Sequence, residues 1–185
     1  DLDVVVSGSQ KGWMVPPGLA FLYMSERAWQ ANAEAKMPRF YFDAARTRDS
    51  LAKLQNPWTP AMSIYYAMDK AFELIRAEGL EGVFTRHEAI ANYTRQRVKG
   101  LGLSLVPVDE SRASNTVTAV WWPEGVDGKS ISKRAREEFG IVLGGGQGKL
   151  EGKIFRVGHL GWVQQHEVAE ALDVVEKLLG EAKAG

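Results

Sequence analysis

The sequence predicts an α/β protein, and three observations carry that prediction. Short, wholly apolar runs such as Val4–Val6 are bounded by glycine, serine and proline, as strands are. Two long stretches, near 62–78 and 164–180, repeat their apolar residues at helical spacing. Between them, Asn115 to Trp122 alternates like a half-buried strand. The elements follow in order. Val4–Val6 reads as a central strand entering the Ser7-Gly8-Ser9 turn, of the kind that is covered on both faces and needs neighbours. The chain therefore reads as a piece of something longer. Leu19–Met24 is a second strand beyond the break at Pro16-Pro17-Gly18, and Ser25 caps a helix over 26–36.

Residues 38–60, with Pro38, Pro57 and Pro60, read as irregular. A helix over about 62–78 places Ile64, Met68, Phe72 and Ile75 on one face, and Gly79 ends it. A second, over 81–99, carries Ile90, Tyr93 and Val98 and stops at Gly100. Leu103–Val108 and 115–122 are expected strands, 129–139 a short polar helix, and 141–143 and 153–157 strands bracketing the glycine run Gly144–Gly148. The last helix buries Val168, Leu172, Val175 and Leu179. A domain boundary is expected near Gly79, giving residues 1–78 and 79–185.

Composition narrows the function classes. Lys+Arg and Asp+Glu both number 23, so no field of one sign points to nucleic acid or to an anionic membrane. With no cysteine, this chain has no disulfide, no thiolate metal site and no cysteine nucleophile. No metal site is expected.

Ser7-Gly8-Ser9-Gln10-Lys11-Gly12 is the most informative stretch. A lysine at the end of a buried strand stands on a rigid edge, and Gly8 and Gly12 let a ligand approach the backbone. A lysine amine serves as a carbonyl nucleophile where its surroundings favour the neutral form. Loop lysines are more often merely solvated, so the stretch alone leaves both readings open.

Val4 to Gly12, followed by Pro16-Pro17-Gly18-Leu19-Ala20, resembles the active-site segment of class V pyridoxal-phosphate-dependent aminotransferases. It is nearest the alanine–glyoxylate and serine–glyoxylate branch and the cyanobacterial proteins labelled small subunit of soluble hydrogenase. Two further segments agree in order: Asn56-Pro57-Trp58-Thr59-Pro60 and Phe155-Arg156-Val157-Gly158-His159-Leu160-Gly161. The resemblance implies a fold-type I transferase, here the end of the large domain plus the small C-terminal domain. It also implies pyridoxal 5′-phosphate held as a Schiff base by Lys11, with Gln10 supporting the phosphate or the lysine. Thr59 would send its hydroxyl to the phosphate of the neighbouring subunit of a homodimer, where the bland alternative is a helix cap. Arg156 would grip the substrate carboxylate, a task its planar fork of donors suits. Family members often carry a tyrosine where Asn56 stands, which removes one phosphate contact.

His159 among apolar neighbours is expected to be structural, and Gly144–Gly148, lacking a Gly-Lys-Ser/Thr ending, a turn near the site's entrance. Trp13 or Trp58 could line a pocket. The implied reaction is transamination between alanine or serine and a 2-oxo acid such as glyoxylate, in the cytoplasm. Cysteine desulfurase chemistry would need a cysteine, and the phosphoserine branch matches the lysine segment less well. The rival from another class is a non-catalytic subunit of a soluble hydrogenase-type complex. The upstream half of the family would supply the remaining cofactor ligands, so this chain is not expected to be self-sufficient.

Overall fold

The computed structural model describes residues 1–184 and divides into two compact units, Asp1–Leu74 and the part from Ile75 onward. The division falls inside the third helix. Helices and small antiparallel sheets make up both, in keeping with an α/β chain.

In the first unit β1 (Val4–Gly8) pairs antiparallel with β2 (Ala20–Met24), Val4 opposite Met24 and Gly8 opposite Ala20. Ser25 caps α1 (Glu26–Glu34), its hydroxyl accepting the Ala28 amide at 3.2 Å. A helix that the sequence reading lacked, α2 (Ala44–Leu51), lies within 38–60. Its cap is the Asp43 carboxylate, which accepts the Ala45 and Arg46 amides, a start signal hidden among aromatics and prolines. The expectation of a buried first strand fails in this chain: Val4, Val5 and Val6 are exposed, as are Leu22 and Tyr23 on β2. Two strands cannot cover their own faces, and among the described residues no element packs over these valines. The buried cluster of this unit is small, Val15, Met68 and Ala71, ringed by Trp13, Phe21, Ile64 and Phe72.

The second unit has the larger core. From α3 (Met62–Glu78) the chain turns at Gly79, with φ +78°, into α4 (Leu80–Gly100). Then come β3 (Val117–Trp121), α5 (Gly128–Phe139), the two-residue β4 (Gly144–Gly145), β5 (Ile154–Gly158) and α6 (Gln165–Ala184). The sheet order is β3-β5-β4, all antiparallel. Phe155 and Val157 of β5 and Val120 of β3 pack against the expected stripe of α6, Val168, Leu172, Val175 and Leu179, with Ile90 and Val98 of α4. Each such side chain, fully buried, contributes about 1.5–3 kcal/mol. Asp127 caps α5, and Gly140 ends it in the left-handed region at φ +70°. Gly128 is required by contact: a Cβ there would lie 2.2 Å from Cδ1 of Trp122, whose ring packs on Phe155 at 4.2 Å.

Two expected strands shift. Residues 103–108 make only an isolated bridge, Leu105 to Val120, held by the Val106 amide on Ala119 O and the Trp121 amide on Ser104 O, both at 2.9 Å. The ladder expected at 141–143 forms instead at Gly144–Gly145. No helix among the described residues is long and apolar enough to cross a membrane.

Candidate functional site

Lys11 lies in the turn that follows β1, and that turn is stapled from beneath by Ser9. The Ser9 side chain is fully buried; its hydroxyl donates to the Pro16 carbonyl at 2.7 Å and accepts the Leu19 amide at 3.2 Å. Its backbone joins the same staple, amide to Leu19 O and carbonyl from the Val15 amide. The Met14 amide closes the turn on Lys11 O at 3.0 Å, and Met14 takes a positive φ of 66° to do so. Trp13 Nε1 donates to the Ser7 hydroxyl at 2.8 Å, while its ring packs on Phe21 and, edge-on, on Phe72. Trp13 therefore anchors the turn.

The backbone bearing Lys11 is thus held from both sides, while the side chain is exposed and takes no hydrogen bond or ion pair among the described residues. A Cβ at Gly12 would meet nothing within 4 Å, so the backbone beside the lysine is open. Gln10 is exposed and folds its amide back over Gly8, where a Cβ would sit 2.8 Å from Gln10 Oε1. Gly18, at φ +144°, lets the return strand pass Ile64, whose Cδ1 a Cβ would meet at 2.2 Å.

Thr59 is exposed and stands three residues before the start of α3. It does not cap that helix: its hydroxyl takes no hydrogen bond among the described residues. Asn56 accepts from the Tyr65 hydroxyl at 3.0 Å. Trp58 stacks on Tyr41 and donates to its carbonyl, which fixes the Pro57–Pro60 segment to the aromatic stretch before α2.

In the second unit, Arg156 occupies the central strand, opposite Ala119 on one side and Gly144 on the other. The alternation that sends Phe155 and Val157 into the core sends Arg156 to the other face. Its neighbours there are the two smallest residue types. Arg156 Nε donates to the Gly145 carbonyl at 2.9 Å, which leaves the Nη nitrogens for another acceptor.

No model of a protein family matches the chain. Individual relatives do. A Synechococcus protein named as the small subunit of a soluble hydrogenase is 44% identical over 180 residues, 97% of this chain and 46% of the relative. A serine–glyoxylate aminotransferase of Arabidopsis thaliana is 37% identical over 182 residues, 96% of this chain and 45% of the relative. The crystal structure of an alanine–glyoxylate aminotransferase from Nostoc superposes with a TM-score of 0.90 at 32% identity, over 96% of this chain and 48% of that one. This chain belongs to the class V aminotransferase family. It spans about half the length of the curated relatives it matches, and the half is the C-terminal one.

Within this class V segment, the roles of some residues that hold the candidate side chains were not visible from motif reading. Ser9 and Trp13 hold the lysine turn, and Gly145 holds the arginine through a backbone atom that every residue carries. Arg86 of α4 makes a bidentate pair with Glu78 and donates to the carbonyls of Gly161 and Val163, 75 and 77 residues away. That pairing keeps the Glu78 carboxyl below the usual glutamate range. His87 Nε2 accepts the Gly161 amide at 3.1 Å, so its Nδ1–H donates to Val83 O. Together they tie down the loop after β5, and nothing in local sequence announces either.

His159 is structural, as its neighbours suggested. Its side chain is fully buried, with Nδ1 donating to Asn115 O at 3.2 Å and Nε2 accepting from the Thr118 hydroxyl at 2.8 Å. Burial pushes its pKa below the ordinary histidine value. A group whose folded pKa is depressed binds protons better when unfolded. Its contribution to stability is therefore complete above about pH 6.5 and falls away as the pH drops below that. Thermal unfolding of the intact protein should thus show a loss of Tm on mild acidification that His159→Asn reduces. An equal acid sensitivity in the variant would assign the loss to other groups.

Proposed function

We propose that the protein containing this chain is a pyridoxal-phosphate-dependent aminotransferase that moves an amino group from alanine or serine to a 2-oxo acid such as glyoxylate. The observation that carries the proposal is Lys11: an exposed amine, unpaired among the described residues, on a turn stapled by a buried serine, in a segment with aminotransferase relatives along nearly its whole length. The residues present fit that cofactor, because the open backbone at Gly12 admits a flat ligand beside the amine. When bound, the cofactor supplies an electron-withdrawing ring that stabilises negative charge at the substrate Cα.

The chain's own residues then have separate tasks. Lys11 Nζ would hold the cofactor, and as a free amine would take the proton from the substrate Cα and return one, acting as base and then acid. Gln10 steadies the lysine turn or the phosphate. The Nη nitrogens of Arg156 bind the substrate carboxylate and orient Cα. Thr59 Oγ1, which takes no hydrogen bond among the described residues, donates to a cofactor phosphate in the partner subunit of a homodimer, so that each chain gives and receives the same contact.

The test is product formation by the intact protein. Alanine with glyoxylate should yield pyruvate and glycine in equal amounts, or serine with glyoxylate should yield hydroxypyruvate and glycine. The relatives named as soluble hydrogenase subunits suggest the rival, a non-catalytic partner protein. An intact protein that takes up no pyridoxal phosphate and forms no glycine from either donor would favour that rival.

A further inference from the structure

Arg156 presents a question of aim. An arginine whose three nitrogens are all free rotates about its terminal bonds, and a bidentate grip on a carboxylate needs both Nη atoms pointing the same way. On β5 one of the three is taken: Nε donates to Gly145 O at 2.9 Å. That bond restrains the guanidinium at its Nε and leaves both Nη nitrogens without a partner among the described residues. The flanking Ala119 and Gly144 hold no side chain that could compete for them.

What holds Gly145 in place is the turn behind it. A Cβ on Gly146 would lie 2.0 Å from Leu150 O and 2.6 Å from Leu150 C, so the chain crosses itself at that point with room only for glycine. Leu150 cannot yield freely, because its carbonyl accepts the Lys153 amide at 3.1 Å and its amide donates to Gln147 O at 3.1 Å. Gly148 supplies the left-handed corner between them, at φ +54°. The glycine run thus begins in β4 and continues into a close crossing at Gly146, and its product is one carbonyl beside Arg156.

We propose that Gly144–Gly148 is a positioning element for substrate binding: the crossing at Gly146 sets the Gly145 carbonyl, and that carbonyl aims the Arg156 guanidinium at the carboxylate. The inference rests on the reading that Arg156 binds that carboxylate, and the experiment separates the two. In the intact enzyme, Gly146→Ala should raise KM for alanine about tenfold, the scale on which small misplacements of a binding group act, with kcat nearly unchanged. The single-turnover half-reaction with ethylamine, which is alanine without its carboxylate, should keep its wild-type rate. A wild-type KM for alanine overturns the proposal, and so does an equal loss with alanine and ethylamine, which marks a general disturbance of the fold. Should Gly146→Ala not accumulate, Gly148→Val strains the same turn without a clash and is read in the same way. Arg156→Lys is run alongside. If it leaves the alanine KM unchanged, the carboxylate assignment itself fails, whatever the glycine variants do.

Discussion

Replacing Lys11 with alanine is expected to abolish borohydride-trappable pyridoxal phosphate in the intact enzyme and to cut turnover by several orders of magnitude. The size follows from the two tasks assigned to one amine. Proton transfer by a positioned side chain contributes about 10²–10⁴-fold by itself, and loss of the covalent link removes the orientation that it gives. The structure makes the variant easy to interpret. Lys11 is exposed and pairs with nothing among the described residues, and the turn beneath it is held by Ser9, Trp13 and backbone bonds that the substitution leaves alone. Lys11→Ala should therefore melt at the temperature of the cofactor-free wild type while losing its chemistry. Near-normal transamination by the variant would end the assignment.

The parts of the fold that sequence discloses are those decided locally. The α6 stripe is visible because Val168, Leu172, Val175 and Leu179 repeat at helical spacing, and all four are buried. The α1 start is visible because a serine cap acts over three residues. What fails is decided at a distance. Val4–Val6 has the composition of a covered strand, yet cover comes from other elements, and the described residues provide none. Leu103–Val108 has strand composition as well, but it joins β3 through a single bridge centred on Leu105. The edge ladder settles on Gly144–Gly145 because pairing with Arg156 and Phe155 outweighs the low strand propensity of glycine.

The same division runs through the site. Lys11, Thr59 and Arg156, to which the proposed reaction assigns the reactive and ligand-binding tasks, stand in recognisable strings, and a resemblance can point to them. Ser9, Arg86 and the Gly145 carbonyl do their work by placing something else. Arg86 reaches Gly161 across 75 residues, so its role exists only after folding. Ser9 resembles any loop serine until its burial is known.

Arg156→Lys should raise KM for both the amino acid and the oxo acid, with kcat and the cofactor spectrum close to wild type. A charge-assisted hydrogen bond is worth about 1.5–3 kcal/mol, so the loss of one arm of a bidentate grip corresponds to a rise of about 10–150-fold. Lysine keeps the charge but not the geometry. It has no Nε–H for Gly145 O, and its ammonium is a point donor where the guanidinium offered a fork. The carboxylate is bound alike in the ground state and the transition state, since the reacting bond is at Cα. Its loss therefore falls on KM and spares kcat. The effect should also depend on the substrate: alanine and glyoxylate, which carry the carboxylate, suffer, and ethylamine does not. Because Arg156 lies on the face of β5 opposite the Phe155 and Val157 packing, the variant should keep its Tm. A KM within twofold of wild type for both substrates would move the carboxylate site to another residue, and a fall in kcat with KM unchanged would place Arg156 in the chemical step instead.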